Sequence, residues 1–254
     1  MRGNRFKIRL LIGLAIVGFA FFKKCANRQT NPYTNRVQTI NMTPEQEIKL
    51  GFANRDAMAQ QHDGLYPDAG AQAHVDMIGE KLVRANTMAA ESPYRFEFHL
   101  LADRRAINAF ALPGGQIFIT YALYSKLNDA QLAGVLGHEI GHVLGRHSAE
   151  RIAETDFWQT LSTGASVGAD MGGMVGGIAQ NTLLKNGRED ELESDELGVV
   201  LMMYAGYEPE AMIEVMKILK AAAGPNRTPE FQSTHPDPEN RIEKIKETIA
   251  KYRN

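Results

Sequence analysis

Apolar positions fall into three regimes along the chain. Residues 10–22 form an unbroken run of apolar or small side chains, preceded by Arg2, Arg5, Lys7 and Arg9 and followed by Lys23 and Lys24. Residues 26–42 are polar, with no apolar period, and read as a tether. From Thr43 onward helical and strand periods alternate. Thr43-Pro44-Glu45-Gln46 is a capping box with proline at the first helical position, which predicts a helix to about residue 61. Val75, Ile78, Leu82 and Val83 recur at helical spacing and predict a second helix over 71–84. Phe96, Phe98 and Leu100 alternate with Glu97 and His99, the pattern of a half-buried strand. Asn108 to Leu112 reads as a second extended piece, turned by Pro113-Gly114-Gly115 into a third strand over 116–120. An apolar helix follows, capped by Asn128 or Asp129 and fading after about Ile152. Residues 164–179 are rich in Gly, Ala and Met. They suit either a mobile hairpin or lid over a cleft, extending to about 186, or a packed small-residue helix. Helices over 189–204, 209–222 and 238–252 complete the chain, with a loop over 225–236. The expected fold is α+β and mainly helical, with a sheet of about three strands next to the apolar helix.

Composition narrows the classes. At 254 residues the chain can bury one substantial core, so residues 43–254 are expected to form a single domain behind a segment over 1–25 and a linker over 26–42. A net charge of -2 argues against a nucleic-acid surface, and no basic stripe is visible beyond the N-terminal segment. The lone Cys25 rules out an intrachain disulfide and a cysteine zinc cage, and the lysines before it make it a poor lipid-attachment site. A basic flank followed by a short apolar run is the layout of an export signal or of a short uncleaved membrane anchor, and both readings stand. Either one sends the remainder out of the cytoplasm, to the periplasm or cell envelope.

The apolar helix carries the chemistry. His138-Glu139-Ile140-Gly141-His142 places two histidines one turn apart, within about 40° of each other, so that both rings can reach one metal ion. Gly134, Gly141 and Gly145 share their side, where a substrate or a neighbouring backbone can come close. Leu132, Leu136, Ile140, Val143 and Leu144 line the other side, so nearly the whole circumference except Glu139 is apolar or small and the helix should be buried. A core helix with two satisfied histidines is the plain alternative. A catalytic zinc needs three protein ligands and an open position. His147 points away from His138 on a continuous helix. Glu191 and Asp195 share a face of the helix over 189–204 with Gly198 and Met202, while Glu193 projects to the far side. Glu191 is therefore the expected third ligand, and Asp195 is placed to fix the tautomer of a metal-bound imidazole. An acidic helix start, favoured by the helix dipole, explains the same residues without a metal.

Gly137 to His142, Glu191-x-x-x-Asp195, the late Thr234-His235-Pro236-Asp237-Pro238-Glu239-Asn240-Arg241 and the stretch from Asn108 to Gly115 occur in this order. Together they resemble the zinc endopeptidases of metallopeptidase family forty-eight, from about Thr43 to the end. The resemblance implies a zincin-type domain binding one zinc through His138, His142 and Glu191. It also implies a histidine, His235, that faces the site. The chain departs from the prenyl-protease branch in lacking multiple membrane spans, and from the branch with helical repeats in ending near Arg241. A small exported bacterial endopeptidase is the nearer analogue. Glu139 is then the general base. His235 donates to the tetrahedral oxyanion, and Arg241 holds its loop or adds positive charge. Asn108, Ala109, Phe110 and Ala111 offer an edge to an extended protein or peptide substrate, although a plain structural hairpin accounts for them equally. Two rival functions remain, a membrane-tethered chaperone or adaptor with a non-catalytic zinc site and a metal-dependent hydrolase of non-peptide substrates.

Overall fold

The computed structural model describes residues 2–169, 172–222, 235 and 240–253. The chain divides into two compact units, residues 1–42 with 147–187 and residues 43–146 with 188–254.

In the first unit α1 (Arg2–Ala26) packs along α7 (His147–Ala169). The stretch expected to be a structureless tether holds a hairpin, β1 (Arg28–Thr30) with β2 (Val37–Thr39), paired antiparallel. Polar side chains hold it. Asn31 Nδ2 donates to Gln38 Oε1 at 3.1 Å, while Arg36 and Gln38 both donate to Glu150 Oε2, at 2.7 and 3.0 Å. Such a hairpin carries no apolar alternation for a sequence to display. Among the described residues no helix is long and apolar enough to cross a membrane.

The second unit is mainly helical around a small sheet. Its elements are α2 (Pro44–Gln61), α3 (Ala69–Ala85), α4 (Thr87–Ala90), β3 (Glu97–Leu101), β4 (Ala109–Leu112), β5 (Gln116–Thr120), α5 (Tyr121–Tyr124) and α6 (Asp129–Leu144). The later part of α8 (Gly172–Tyr204), α9 (Ala211–Ala222) and α10 (Arg241–Arg253) complete it. The expected capping box of Thr43 with Gln46 forms, and Asn128, one of the two expected caps of α6, forms a second box with Gln131. The sheet order is β3-β5-β4, with β3 parallel and β4 antiparallel to the central β5. All five residues of β5 are buried. Ile78 and Leu82 of α3 and Leu132, Leu136 and Ile140 of α6 are fully buried with them, and this apolar block sets the position of the HExxH helix. The turn between β4 and β5 demands glycine. Gly114 (φ 82°) and Gly115 (φ 111°) sit where a Cβ would lie 2.3 Å from the Ile48 backbone and 2.5 Å from the Arg95 carbonyl oxygen.

Several boundaries differ from those expected. The HExxH helix stops at Leu144 rather than near Ile152, because Arg146 adopts a left-handed conformation (φ 58°) after the Gly145 cap. There its Nε donates to Glu47 Oε1 at 2.9 Å. The helix bearing Glu191 begins at Gly172, not at Glu189, so its acidic cluster lies well inside and owes nothing to a helix N-terminus. Helical backbone covers 147–169 and 172–204, which includes most of the glycine-rich stretch. Residues 170 and 171 lie outside the described residues, as does the expected loop over 225–236 apart from His235, and so do the first residues, 238 and 239, of the expected last helix.

Candidate metal centre

Residues Leu132 to Leu144 of α6 are buried, and the reason lies in its glycines. A Cβ on Gly141 would meet the Ser194 carbonyl oxygen at 2.8 Å, and one on Gly137 would meet the Gly198 carbonyl oxygen at 3.3 Å. The glycine face therefore receives the backbone of α8, not a substrate. That close approach brings the side chains of α6 and α8 to one point.

One ligand atom from each of His138, His142, Glu191 and His235 lies within 4.8 Å of the others, and all four residues are buried. His142 Nε2 faces His138 Nε2 at 3.0 Å. Glu191 Oε2 stands 3.3 Å from His138 Nε2, and Glu191 Oε1 stands 3.3 Å from His142 Nε2. His235 Nδ1 is 3.0 Å from Glu191 Oε1 and 3.4 Å from His138 Nε2. Ligands about 2.0–2.1 Å from a tetrahedral zinc are roughly 3.3 Å apart, so these spacings suit one small cation. Glu193, expected on the far side of its helix, is not in the group.

The surrounding charges favour a cation as well. Asp195 Oδ1 lies 2.9 Å from His138 Nδ1, which in the neutral ring puts the proton on that nitrogen and leaves Nε2 as the inward lone pair. Burial disfavours charge on His138, but hydrogen bonds to Asp195 and Glu191 raise its pKa to about 9. Burial pushes the Glu191 carboxyl up, yet the facing His235 and His142 rings hold it well below the usual carboxylate range. Arg241 grips Asp195 with a fork, Nε to Oδ2 at 2.6 Å and a terminal nitrogen to Oδ1 at 2.9 Å, and its other terminal nitrogen is 3.3 Å from Glu191 Oε2. Asp195 is held below its ordinary value because Arg241 and His138 outweigh its burial.

Glu139 is the exception. It is fully buried, and neither carboxylate oxygen has a hydrogen-bond partner among the described residues. His235 Nε2, at 3.6 Å, is the ring nitrogen facing it. Burial raises the Glu139 carboxyl above its ordinary value of 4.5. Leaving a buried carboxylate without partners costs several kcal/mol, of order 1–3 or more, unless a ligand or water completes it. Glu191 Oε2 is another such atom.

The expected substrate edge is a sheet edge. β4 pairs with β5 on one side and with no strand on the other among the described residues. Asn108 is fixed through Thr120, whose N–H donates to its carbonyl at 3.0 Å. His235 Nε2 is 3.2 Å from the Ala109 carbonyl oxygen, so the ring spans the distance from the edge strand to His138 and Glu191. Phe110 stacks on Phe118, 4.9 Å between centroids, and anchors the strand to the core. Sequence reading missed Glu47 and Arg146, whose buried pair braces the end of α6. The one signal was an arginine directly after a helix-capping glycine.

This geometry suits a single cation, and beside it stands Glu139, a buried carboxylate without a hydrogen-bond partner among the described residues. Residues 69–249 match the peptidase family M48. The mitochondrial metalloendopeptidase OMA1 of Schizosaccharomyces pombe is 30% identical over 224 residues, which cover 86% of this chain and 65% of that protein. Its counterpart in Saccharomyces cerevisiae is 32% identical over 251 residues, covering 87% and 68%. The beta-barrel assembly-enhancing protease of Escherichia coli strain K12 is 29% identical over 214 residues, covering 78% of this chain and 42% of that protein. The chain thus spans less than two thirds of the first of these proteins and under half of the last. It belongs to peptidase family M48.

Proposed function

We propose that this protein is a zinc-dependent endopeptidase that cleaves proteins of the cell envelope, in protein quality control. The observation that carries the reading is Glu139, a buried carboxylate without a hydrogen-bond partner among the described residues, beside a group of four convergent ligand atoms. His138, His142 and Glu191 would hold the zinc, which when bound polarises a peptide carbonyl and acidifies a water towards neutrality. Glu139 takes that water's proton and returns it to the leaving amine nitrogen, a task to which a carboxyl raised by burial is suited. Asp195, gripped by Arg241, keeps the Nδ1 proton on His138 and so keeps its Nε2 turned inward. An extended substrate adds to the edge of β4 through Ala109, Phe110 and Ala111, with Asn108 fixing the strand's start. A substrate N–H that takes the Ala109 carbonyl frees His235 Nε2–H to donate to the oxyanion.

The envelope assignment rests on the basic and apolar start of the chain and on a relative named for β-barrel assembly. A chaperone with a non-catalytic zinc site remains the rival, but it gives no task to Glu139, which is buried without a hydrogen-bond partner among the described residues. Cleavage of casein by the purified chain decides between them. The proposal predicts cleavage that a chelator abolishes and zinc restores; intact casein in the presence of zinc would leave the chaperone reading standing.

A further inference from the structure

We propose that α1 is retained in the mature protein and that its outer face enters one leaflet of an anionic lipid bilayer, with α7 as the platform beneath it. One narrow stripe of α1, Gly13, Ile16, Val17, Ala20 and Lys24, is wholly or partly covered, at the i, i+3, i+4, i+7 spacing of a single helix face. That stripe meets α7. A Cβ on Gly164 would lie 2.9 Å from Val17 Cγ2 and 3.0 Å from the Gly13 carbonyl oxygen, so the two helices touch where neither has a side chain to spare. Phe21 meets Phe157 edge to face at 5.3 Å, and Lys24 Nζ stands 4.5 Å above the same ring. A leader made only to be cut off has no use for such contacts.

Elsewhere on α1, among the described residues, Ile8, Leu11, Leu14, Phe19 and Phe22 are each 53–69% exposed. A helix that is apolar nearly all round belongs in a nonpolar medium, whereas the fully exposed positions of α7, Gln159, Thr163 and Ser166, are polar. Charge names the occupant. The first 24 residues contain six Lys or Arg and no Asp or Glu, grouped at the two ends of the apolar run, where anionic headgroups would meet them. Length sets the depth. Residues 10–22 reach about 20 Å as a helix against a hydrocarbon core of about 30 Å, so the helix enters a leaflet and does not span. This agrees with the lack, among the described residues, of a helix able to cross a membrane.

Vesicle flotation of the full chain tests the proposal, with phosphatidylcholine vesicles made with and without phosphatidylglycerol. The chain is expected to float with the anionic vesicles at least about tenfold more than with the neutral ones at low salt, the excess falling as salt screens the headgroups. The double variant Phe19→Glu, Phe22→Glu should stay with the lipid-free fraction while its circular dichroism and casein cleavage are unchanged. Equal flotation of variant and parent would overturn the proposal. So would a parent that forms dimers through this face and ignores lipid, since a second copy would then be the occupant. Intact mass of the exported chain supplies an independent arm: residues 1–25 present supports retention, and their removal refutes it.

Discussion

Glu47 and Glu139 are both buried glutamates of the second unit, and they are treated in opposite ways. Glu47 is met by Arg146 Nε at 2.9 Å, the Tyr94 hydroxyl lies 3.5 Å away, and no buried polar atom of the three lacks a partner. Burial still raises the Glu47 carboxyl, with Arg146 and Tyr94 pulling it back. Among the described residues Glu139 has neither arginine nor hydroxyl, although Arg241 is committed to Asp195 and Glu191 close by. On the function proposed above, the difference separates a charge that serves the fold from one held for a reaction.

Substitutions can break or sharpen this contrast. Glu139→Gln removes the base and keeps every ligand, so kcat/KM on casein should fall by roughly 10²–10⁴-fold with zinc content and melting temperature unchanged. Unaltered turnover would remove Glu139 from the mechanism. Glu47→Ala should do the reverse: a buried guanidinium loses its counter-charge at a cost of about 3–5 kcal/mol, read from urea unfolding. A neutral result would mean that the pair is not what braces α6. Asp195→Asn is expected to weaken zinc binding by roughly 10–100-fold in a competition titration, because the His138 tautomer is no longer enforced. The smallest effect concerns Asp103, which accepts from the Arg105 and Ala106 N–H groups and lies 3.2 Å from His62. Burial pushes its carboxyl up, but these partners more than offset it and hold the pKa below the ordinary 3.8. A lowered folded-state value means that Asp103 stabilises the fold above pH 3.8 and that this contribution is lost as pH falls through the folded value. Asp103→Asn should therefore lose about 1 kcal/mol at pH 5 and flatten the decline in urea midpoint below pH 4. An identical decline in both proteins would assign the acid sensitivity elsewhere.

How much of this was legible depends on what kind of interaction made each feature. The second unit's elements were visible because apolar periods built them: β5 forms over 116–120 as expected, and Glu191 and Asp195 turn towards the HExxH helix because four residues are one helical turn. The end of α6 was not visible, because its stop is an arginine in a left-handed conformation held by a glutamate 99 positions away. The β1–β2 hairpin was hidden for a related reason, since Asn31, Arg36, Gln38 and Glu150 hold it through side-chain hydrogen bonds that leave no period. The parallel pairing of β3 with β5 is likewise a long-range choice that local alternation does not encode. In the candidate site, spacing pointed to His138, His142 and Glu191, while the nearness of His235 to them depends on a residue far along the chain. Its only sequence sign was the His-Pro motif.

The central claim is that His138, His142 and Glu191 hold one divalent cation. Elemental analysis of the full chain and of Glu191→Ala, each dialysed after zinc loading, tests it most directly. The account predicts close to one zinc per chain in the parent and almost none in the variant; equal zinc in both proteins, or none in a parent that still cleaves casein, would contradict it.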